Sequence, residues 1–158
     1  PPNLSCRYFT HATETLIWAA KNKKSKHTFH YRLMKETNGG KQMKSVWPFY
    51  PPSAAEKRFG KHPTQKPVAL LEQIILASSN EKGLVLDPFM GSGSTAIACI
   101  RKNRMFVGIE IDTKWCEITK KRILDERSTN YEIEVLTPEY KVIPIELRRE
   151  ASSHGRRR

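Results

Sequence analysis

Apolar and polar positions alternate most regularly in the middle of the chain. Residues 84–87 are an apolar run that ends in Asp87 and predict a buried strand, and residues 95–100 have the pattern of a helix. Residues 104–112 form a second apolar run with acidic residues at its end. The order strand, glycine-rich turn, helix, strand predicts a βαβ unit and an α/β fold.

The same periodicity predicts one helix on each side of this unit. Before it, residues 68–77 predict a helix with Pro67 at its first turn, and Gly83 is expected to have a C-cap role. After it, a capped helix is expected over residues 114–127. These helices would supply the layers that cover the strands.

Strands are predicted toward both ends of the chain. The end of segment 7–20 is apolar enough for a buried strand, and we assign no chemistry to His11 or Glu14 at its start. Residues 131–135 alternate as a half-exposed strand. Residues 140–145 contain a proline and predict an edge strand.

A basic segment, residues 21–61, separates the first strand from the rest. It holds eleven Lys and Arg residues against two acids, interleaved with aromatic side chains, and its glycines and prolines predict loops with short strands. Cations of this density suit contacts with nucleic-acid phosphates, with a solvated charged face as the alternative. The residues predicted to make such contacts are Lys23, Lys24, Lys26, Arg32, Lys41 and Lys44.

The composition of the whole chain agrees with a polyanionic partner. Its 158 residues carry a formal net charge of +12, and its pI is near 9.8. No apolar run approaches the length of a membrane-spanning helix, so a membrane is the weaker partner. Three widely separated cysteines argue against a disulfide framework and against a zinc site. We therefore expect no bound metal and a reducing, cytoplasmic location.

The turn between the first strand and the helix contains Gly91, Ser92 and Gly93. Because the two glycines lack a Cβ, they allow positive φ and let a small molecule lie against the main chain. The following helix directs unpaired N–H groups and its positive dipole end to the same place. A carboxylate after the second strand of a βαβ unit lies beside such a turn and can accept both hydroxyls of a ribose. Glu110 is therefore predicted to bind a ribose, with a solvated charge as the alternative.

These segments resemble the motifs of one enzyme family. Residues 87–93 (DPFMGSG), residues 108–110 (GIE) and residues 62–67 (HPTQKP) resemble the S-adenosylmethionine-binding half of a β-class DNA amino-methyltransferase, in the family's order and spacing. The resemblance implies an α/β, Rossmann-like S-adenosylmethionine-dependent methyltransferase fold, here lacking its N-terminal catalytic part. It also implies methylation of an exocyclic amine in DNA, with adenine N6 expected ahead of cytosine N4.

The resemblance also assigns roles to individual residues. The Thr64 hydroxyl and the Lys66 charge are expected near the cofactor carboxylate, although a helix cap is the alternative for Thr64. Trp115 is expected to pack in the core rather than to stack on adenine. The basic segment lies where target recognition usually sits, so its six cations are expected to contact double-stranded DNA. The residues expected to bind S-adenosyl-L-methionine are Thr64, Lys66, Asp87, Phe89, Gly91, Ser92, Gly93 and Glu110.

The family's catalytic tetrapeptide, Asp-Pro-Pro-Tyr or Ser-Pro-Pro-Tyr, does not occur in the 158 residues. The nearest imitation, residues 48–52, lacks the leading acid or serine and lies on the wrong side of the recognition region. We therefore assign no catalytic residue in this chain and expect the acceptor site to come from an N-terminal half or a partner subunit. A homodimer is the other assembly considered.

We expect one structural domain with four parts: a strand and basic recognition-like region at 1–61, a cofactor-binding βαβ region at 62–128, C-terminal strands at 129–151 and a disordered basic tail at 152–158. Two other functions stay open. A noncatalytic DNA-binding or regulatory subunit of a split methyltransferase would need a partner chain with the tetrapeptide. A nicotinamide-dependent dehydrogenase would also use the acid after the second strand, and Ala96 in place of the third glycine excludes it only softly.

Overall fold

A computed structural model describes residue 7, residue 9 and residues 12–126, together with the backbone of residues 132–135 and 145–148. No helix in this part of the chain is long and apolar enough to cross a bilayer. In chain order the elements are α1 (Tyr31–Thr37), a short 3₁₀ helix (Ala55–Lys57), α2 (Val68–Ser78), β1 (Leu84–Asp87), α3 (Ser94–Arg101), β2 (Met105–Gly108), α4 (Thr113–Glu126), β3 (Glu132–Val135) and β4 (Ile145–Arg148).

The predicted βαβ unit is confirmed. β1 and β2 pair in parallel, with Asp87 opposite Gly108, and α3 connects them. Beyond the strand ends, Met90 N donates to Ile109 O and Ile109 N donates to Asp87 O, both at 2.9 Å. Since parallel strands end at the same edge of a sheet, the turn after β1 and the residues after β2 come together.

The core lies between this strand pair and helices α2, α3 and α4. Ala96, Cys99 and Phe106 are completely buried, and Ile123 on α4 closes the cluster. Burial raises the pKa of the Cys99 thiol to about 12, so this cysteine is an apolar packing residue rather than a nucleophile. The core therefore fixes α3 and α4 directly beneath the turn that follows β1.

Helix α2, predicted over 68–77, is confirmed at Val68–Ser78, but its caps differ from the prediction. Its N-cap is Pro67, which has no side-chain acceptor, and Val68 N donates instead to Glu56 Oε2 at 2.9 Å. The alternative role of Thr64 as the cap of this helix is therefore wrong. The C-cap is Ser79, and Gly83 N closes a separate turn onto a main-chain oxygen three residues earlier, so the C-cap role of Gly83 is also wrong.

The strand expected at the end of segment 7–20 does not form in the described part of the chain. Ile17 is 88% exposed and Trp18 is 65% exposed. Trp18 packs on the rings of His27 and Phe29, with centroids 5.2 Å apart in both pairs. An apolar run becomes a strand only beside a partner strand, and none is present there among the described residues. The basic segment forms helix α1 where only loops and short strands were predicted.

The C-terminal strands are described by their backbone. β3 and β4 pair antiparallel, with Glu132 opposite Arg148, which confirms the strand predicted over 131–135. Among the described residues the second strand is Ile145–Arg148, which shares residue 145 with the strand predicted over 140–145. Residues 140–144 and the basic tail at 152–158 lie outside the described residues.

Candidate functional site

The site is built around the glycine turn, residues 88–93, between β1 and α3. Asp87 ends β1 and accepts two hydrogen bonds that fold the turn back on the helix: from Phe89 N at 3.1 Å and from Thr95 Oγ1 at 2.6 Å. Gly91 and Gly93 have φ of 54° and 79°, the left-handed region that other residues rarely adopt. The predicted glycine turn is therefore present, and Asp87 shapes it.

Glu110 lies directly beside the turn. Its Oε2 accepts a hydrogen bond from Gly91 N at 2.8 Å, and its Oε1 accepts one from Asp112 N at 2.9 Å. Each carboxylate oxygen has two lone pairs, so both oxygens keep acceptor capacity for hydroxyl groups. The carboxylate predicted to bind a ribose thus also joins the end of β2 to the turn.

Segment 62–67 borders the turn on another side. Ser94 Oγ donates to Lys66 O at 2.8 Å, and Ser92 Oγ donates to Gln65 Oε1 at 3.1 Å. The Lys66 ammonium forms an exposed ion pair with Glu14 at 2.5 Å. Thr64 is exposed, with its hydroxyl 3.3 Å from the Nδ1 of a histidine two residues earlier. The structure therefore brings the backbone of 65–66 to the turn, while the Lys66 side chain reaches Glu14.

Two aromatic residues near the turn, His62 and Trp115, are absent from the predicted set of site residues. A Cβ added at Gly91 would lie 3.2 Å from His62 Nε2, so the imidazole stands against the glycine. The rings of His62 and Trp115 meet edge to face, with centroids 4.4 Å apart. Trp115 is only half-buried and lies outside the core cluster, so the expectation that it packs in the core is wrong.

Phe89 is an exposed member of the predicted set. Its ring is 88% exposed, whereas its backbone N–H is held by Asp87. A large apolar side chain left in solvent beside a polar turn is available to a planar ligand. Ser92, by contrast, is 3% exposed, so its side chain belongs to the support beneath the turn.

Two residues of α4 support the turn from below, and no motif identified them. Thr119 Oγ1 donates to Gly91 O at 3.1 Å, and Arg122 Nη1 donates to Ser92 O at 2.6 Å. Both side chains are buried, and burial lowers the pKa of Arg122. The sequence signal for Arg122 was its place on the apolar side of α4. Charged residues are almost never fully buried unless they have a partner, so such a position indicates a specific contact.

The basic segment has a different character. Its six predicted contact residues are all exposed, and none forms a salt bridge with the described part of the chain. Arg58 in the same segment, and Arg101 and Lys120 elsewhere, are paired with carboxylates. The six predicted contact residues, which have no salt bridge among the described residues, are Lys23, Lys24, Lys26, Arg32, Lys41 and Lys44.

Taken together, the described residues form a binding site more than an acid–base site. The glycine turn offers main-chain approach, and Asp87 and Glu110 offer acceptor oxygens at its two ends. Both carboxylates are already bonded to the backbone, which suits holding a ligand and not abstracting a proton.

Comparison with known proteins gives one family match. A family described as DNA methylase matches residues 1–121. Among curated relatives, Type II methyltransferase M2.DpnII of Streptococcus pneumoniae is 55% identical over 82% of this chain and 48% of its own length. Type II methyltransferase M.HinfI of Haemophilus influenzae is 39% identical over 89% of this chain and 40% of its own length. The chain thus spans about half the length of the curated relatives it matches.

A solved structure is also similar to this chain. The crystal structure of an M1.HpyAVI–SAM complex is 34% identical, covers 64% of this chain and 46% of that chain, and aligns with a TM-score of 0.47.

Proposed function

The chain belongs to the DNA methylase family, whose model matches residues 1–121, and from that premise we propose that it supplies the cofactor site and the DNA contacts of a DNA amino-methyltransferase. The donor is S-adenosyl-L-methionine. The acceptor is the exocyclic amine of a base in double-stranded DNA, adenine N6 before cytosine N4.

The observation that carries the proposal is the hydrogen bond from Gly91 N to Glu110 Oε2. This bond holds the Glu110 carboxylate, the proposed acceptor for the ribose hydroxyls, against the turn. Because the glycines have no side chains, a ligand can approach the backbone of the turn closely. The turn needs glycine at both positions, since a Cβ at Gly91 would meet His62 and a Cβ at Gly93 would meet Thr119. These features fit a nucleoside with a polar tail.

The proposed ligand-binding residues divide the cofactor between them. Glu110 accepts the ribose hydroxyls, Phe89 offers its exposed ring to the base, and the turn contacts the methionine portion. Lys66 and Thr64 bind the carboxylate of that portion. Because an exposed ion pair contributes little, Lys66 can exchange Glu14 for the ligand at small cost. The full set is Thr64, Lys66, Asp87, Phe89, Gly91, Ser92, Gly93 and Glu110.

The bound cofactor supplies a methyl group on a sulfonium, which is already an activated leaving group. This chain's own contribution is positioning: it holds the donor while the target base is rotated out of the duplex. In this division residues 62–128 bind the donor and residues 1–61 hold the DNA backbone through the six unpaired cations. No group for proton transfer is needed from this chain.

A second segment or chain with the tetrapeptide completes the proposed enzyme. The outer face of the strand pair supports this, because Leu84, Leu86 and Met105 are 61%, 60% and 46% exposed on it. β1 leads directly into the glycine turn, so a segment packed on this face would stand beside the donor. A homodimer through the same face would also cover it, and sedimentation with and without the added segment separates these two assemblies. In the alternative function, this chain is a noncatalytic DNA-binding or regulatory subunit of a split methyltransferase.

Calorimetric titration with S-adenosylmethionine and with NAD tests the proposed cofactor. We expect saturable heat with S-adenosylmethionine and none with NAD. The reverse result would replace the methyltransferase by a nicotinamide-dependent enzyme. Once activity is reconstituted on duplex DNA, nucleoside mass spectrometry distinguishes N6-methyladenine from N4-methylcytosine and so tests the base.

A further inference from the structure

We propose that Arg122, assisted by Thr119, is a positioning residue that fixes the glycine turn for the cofactor. The proposal rests on the proposed cofactor site, since it concerns how that site is held. Arg122 is 6% exposed, and within the described part of the chain it forms no salt bridge. Its charge is therefore not used in an ion pair there but is directed to the turn.

The side-chain hydrogen bonds that Arg122 forms with the described residues fall on the turn and on the start of α3. Nη1 donates to Ser92 O at 2.6 Å and lies 3.3 Å from Ser92 Oγ and 3.4 Å from Ser94 Oγ. A guanidinium can only donate, so each serine hydroxyl accepts from Arg122 and must direct its own hydrogen elsewhere. Those hydrogens go to Gln65 Oε1 and to Lys66 O. Arg122 thus sets the direction of two bonds that join the turn to segment 62–67.

Thr119 performs the same function one helical turn earlier. Its hydroxyl donates to Gly91 O, and its methyl carbon would lie 2.5 Å from a Cβ at Gly93. Thr119 and Arg122 are three residues apart and so share one face of α4. In a trans peptide the N–H points opposite to the C=O. Holding the carbonyls of Gly91 and Ser92 toward α4 therefore fixes the orientation of two peptide planes of the turn, and the Gly93 N–H of the second plane donates to Met90 O at 3.0 Å.

Arg122→Met tests the proposal, because it keeps the stem and removes the donors. We expect affinity for S-adenosylmethionine to fall about 10-fold to 100-fold, the range for losing hydrogen bonds from a charged group. Arg122→Lys, which keeps a donor and the charge, should recover part of this loss. Unchanged affinity in Arg122→Met would overturn the proposal.

Arg104→Met is the matched control for a purely structural role. Arg104 is also half-buried or more and donates to a main-chain oxygen, Ser79 O, at 2.7 Å, but this oxygen is at the end of α2 and not in the turn. We expect this variant to lower the melting temperature and the calorimetric stoichiometry while the folded fraction binds with normal affinity. Equal affinity losses in the Arg104 and Arg122 variants would reduce Arg122 to a stability residue.

A second variant covers the case in which Arg122→Met does not fold. Thr119→Val is nearly isosteric and removes only the bond to Gly91 O, so affinity should fall severalfold, and Thr119→Ser should restore it. Normal affinity in folded Thr119→Val would contradict the proposal.

Amide hydrogen exchange provides a readout that needs no ligand. Without the Arg122 donors, exchange at residues 91–94 should accelerate relative to Arg104→Met, and unchanged protection there would contradict the proposal. If the unaltered chain binds no S-adenosylmethionine, the proposed function fails, whereas the exchange result still reports whether Arg122 holds the turn.

Discussion

The glycine turn and the basic segment hold their charged groups in opposite ways. Around the turn, the side chains of Asp87, Glu110 and Arg122 each form a hydrogen bond with a backbone group of the turn. In the basic segment, the six predicted DNA-contact cations are exposed and have no carboxylate partner in the described residues. A small ligand needs prearranged atoms, whereas a polyanion is attracted by mobile surface charge. The arrangement of the turn therefore suits the proposed cofactor, and that of the basic segment suits the proposed contact with DNA.

The largest expected effect concerns turnover, which neither region supplies alone. The 158-residue chain should transfer no tritium from labelled S-adenosylmethionine to duplex DNA, because misplacing reacting atoms by about 1 Å already costs a hundredfold. Adding a segment that carries the tetrapeptide should restore transfer. Robust transfer by the chain alone would require a catalytic site that we have not assigned.

The exposed strand face sharpens this experiment. Leu84→Asp should block complementation by placing a charge where the added segment packs. Leu124→Asp is the matched control, because Leu124 on α4 is 62% exposed and Leu84 is 61% exposed. Equal activity in the two variants would show that the added segment does not pack on the exposed face of β1.

A pair of glycine substitutions compares the packing of the two regions. Gly93 and Gly40 have φ of 79° and 78°, but a Cβ at Gly93 would lie 2.5 Å from a buried Thr119 carbon, while a Cβ at Gly40 meets nothing within 4 Å. Gly93→Ala should lower the free energy of unfolding by about 2–4 kcal/mol, backbone strain plus overpacking. Gly40→Ala should cost about 1–2 kcal/mol, the strain alone. Urea denaturation measures both, and equal values would mean that the turn yields to the added methyl.

Substitution of Glu110 tests the proposed cofactor site at the glycine turn. Glu110→Ala should weaken binding of S-adenosylmethionine by about 2–3 kcal/mol, since the proposed charge-assisted bonds from the ribose are lost together with the observed bond from Gly91 N. The control is Glu117→Ala, which removes an exposed carboxylate from α4. If calorimetry gives the same affinity for both variants, the ribose assignment is wrong.

The smallest effect per residue is expected in the basic segment. Replacing Lys23, Lys24 and Lys26 with Gln should flatten the dependence of DNA affinity on salt, because each lost phosphate contact removes about one released counterion. The control replaces Lys82 and Lys121, two exposed lysines outside the segment. Equal change in salt slope per charge would show that the segment acts only through net charge. Both variants should bind the cofactor with the same affinity as the unaltered chain.

The sequence by itself determined the βαβ unit and its glycine turn. Strand, glycine turn, helix and acid follow from local patterns, because side-chain periodicity and the absence of a Cβ act over a few residues. The positions of β1, α3, β2 and α4 agree with prediction to within a few residues. Glu110 lies beside the turn because parallel strands end at one edge of a sheet.

The tertiary structure alone decided what holds these elements in place. Glu56 caps α2 from twelve residues away, and Arg122 reaches the turn from thirty residues away. Such contacts depend on how helices pack, and local periodicity contains no information about them. The same reason explains the failed strand before residue 21: a strand needs a neighbour, and an apolar run does not say whether one exists. Local sequence patterns determined the turn and the acid beside it, and packing between distant segments set their positions.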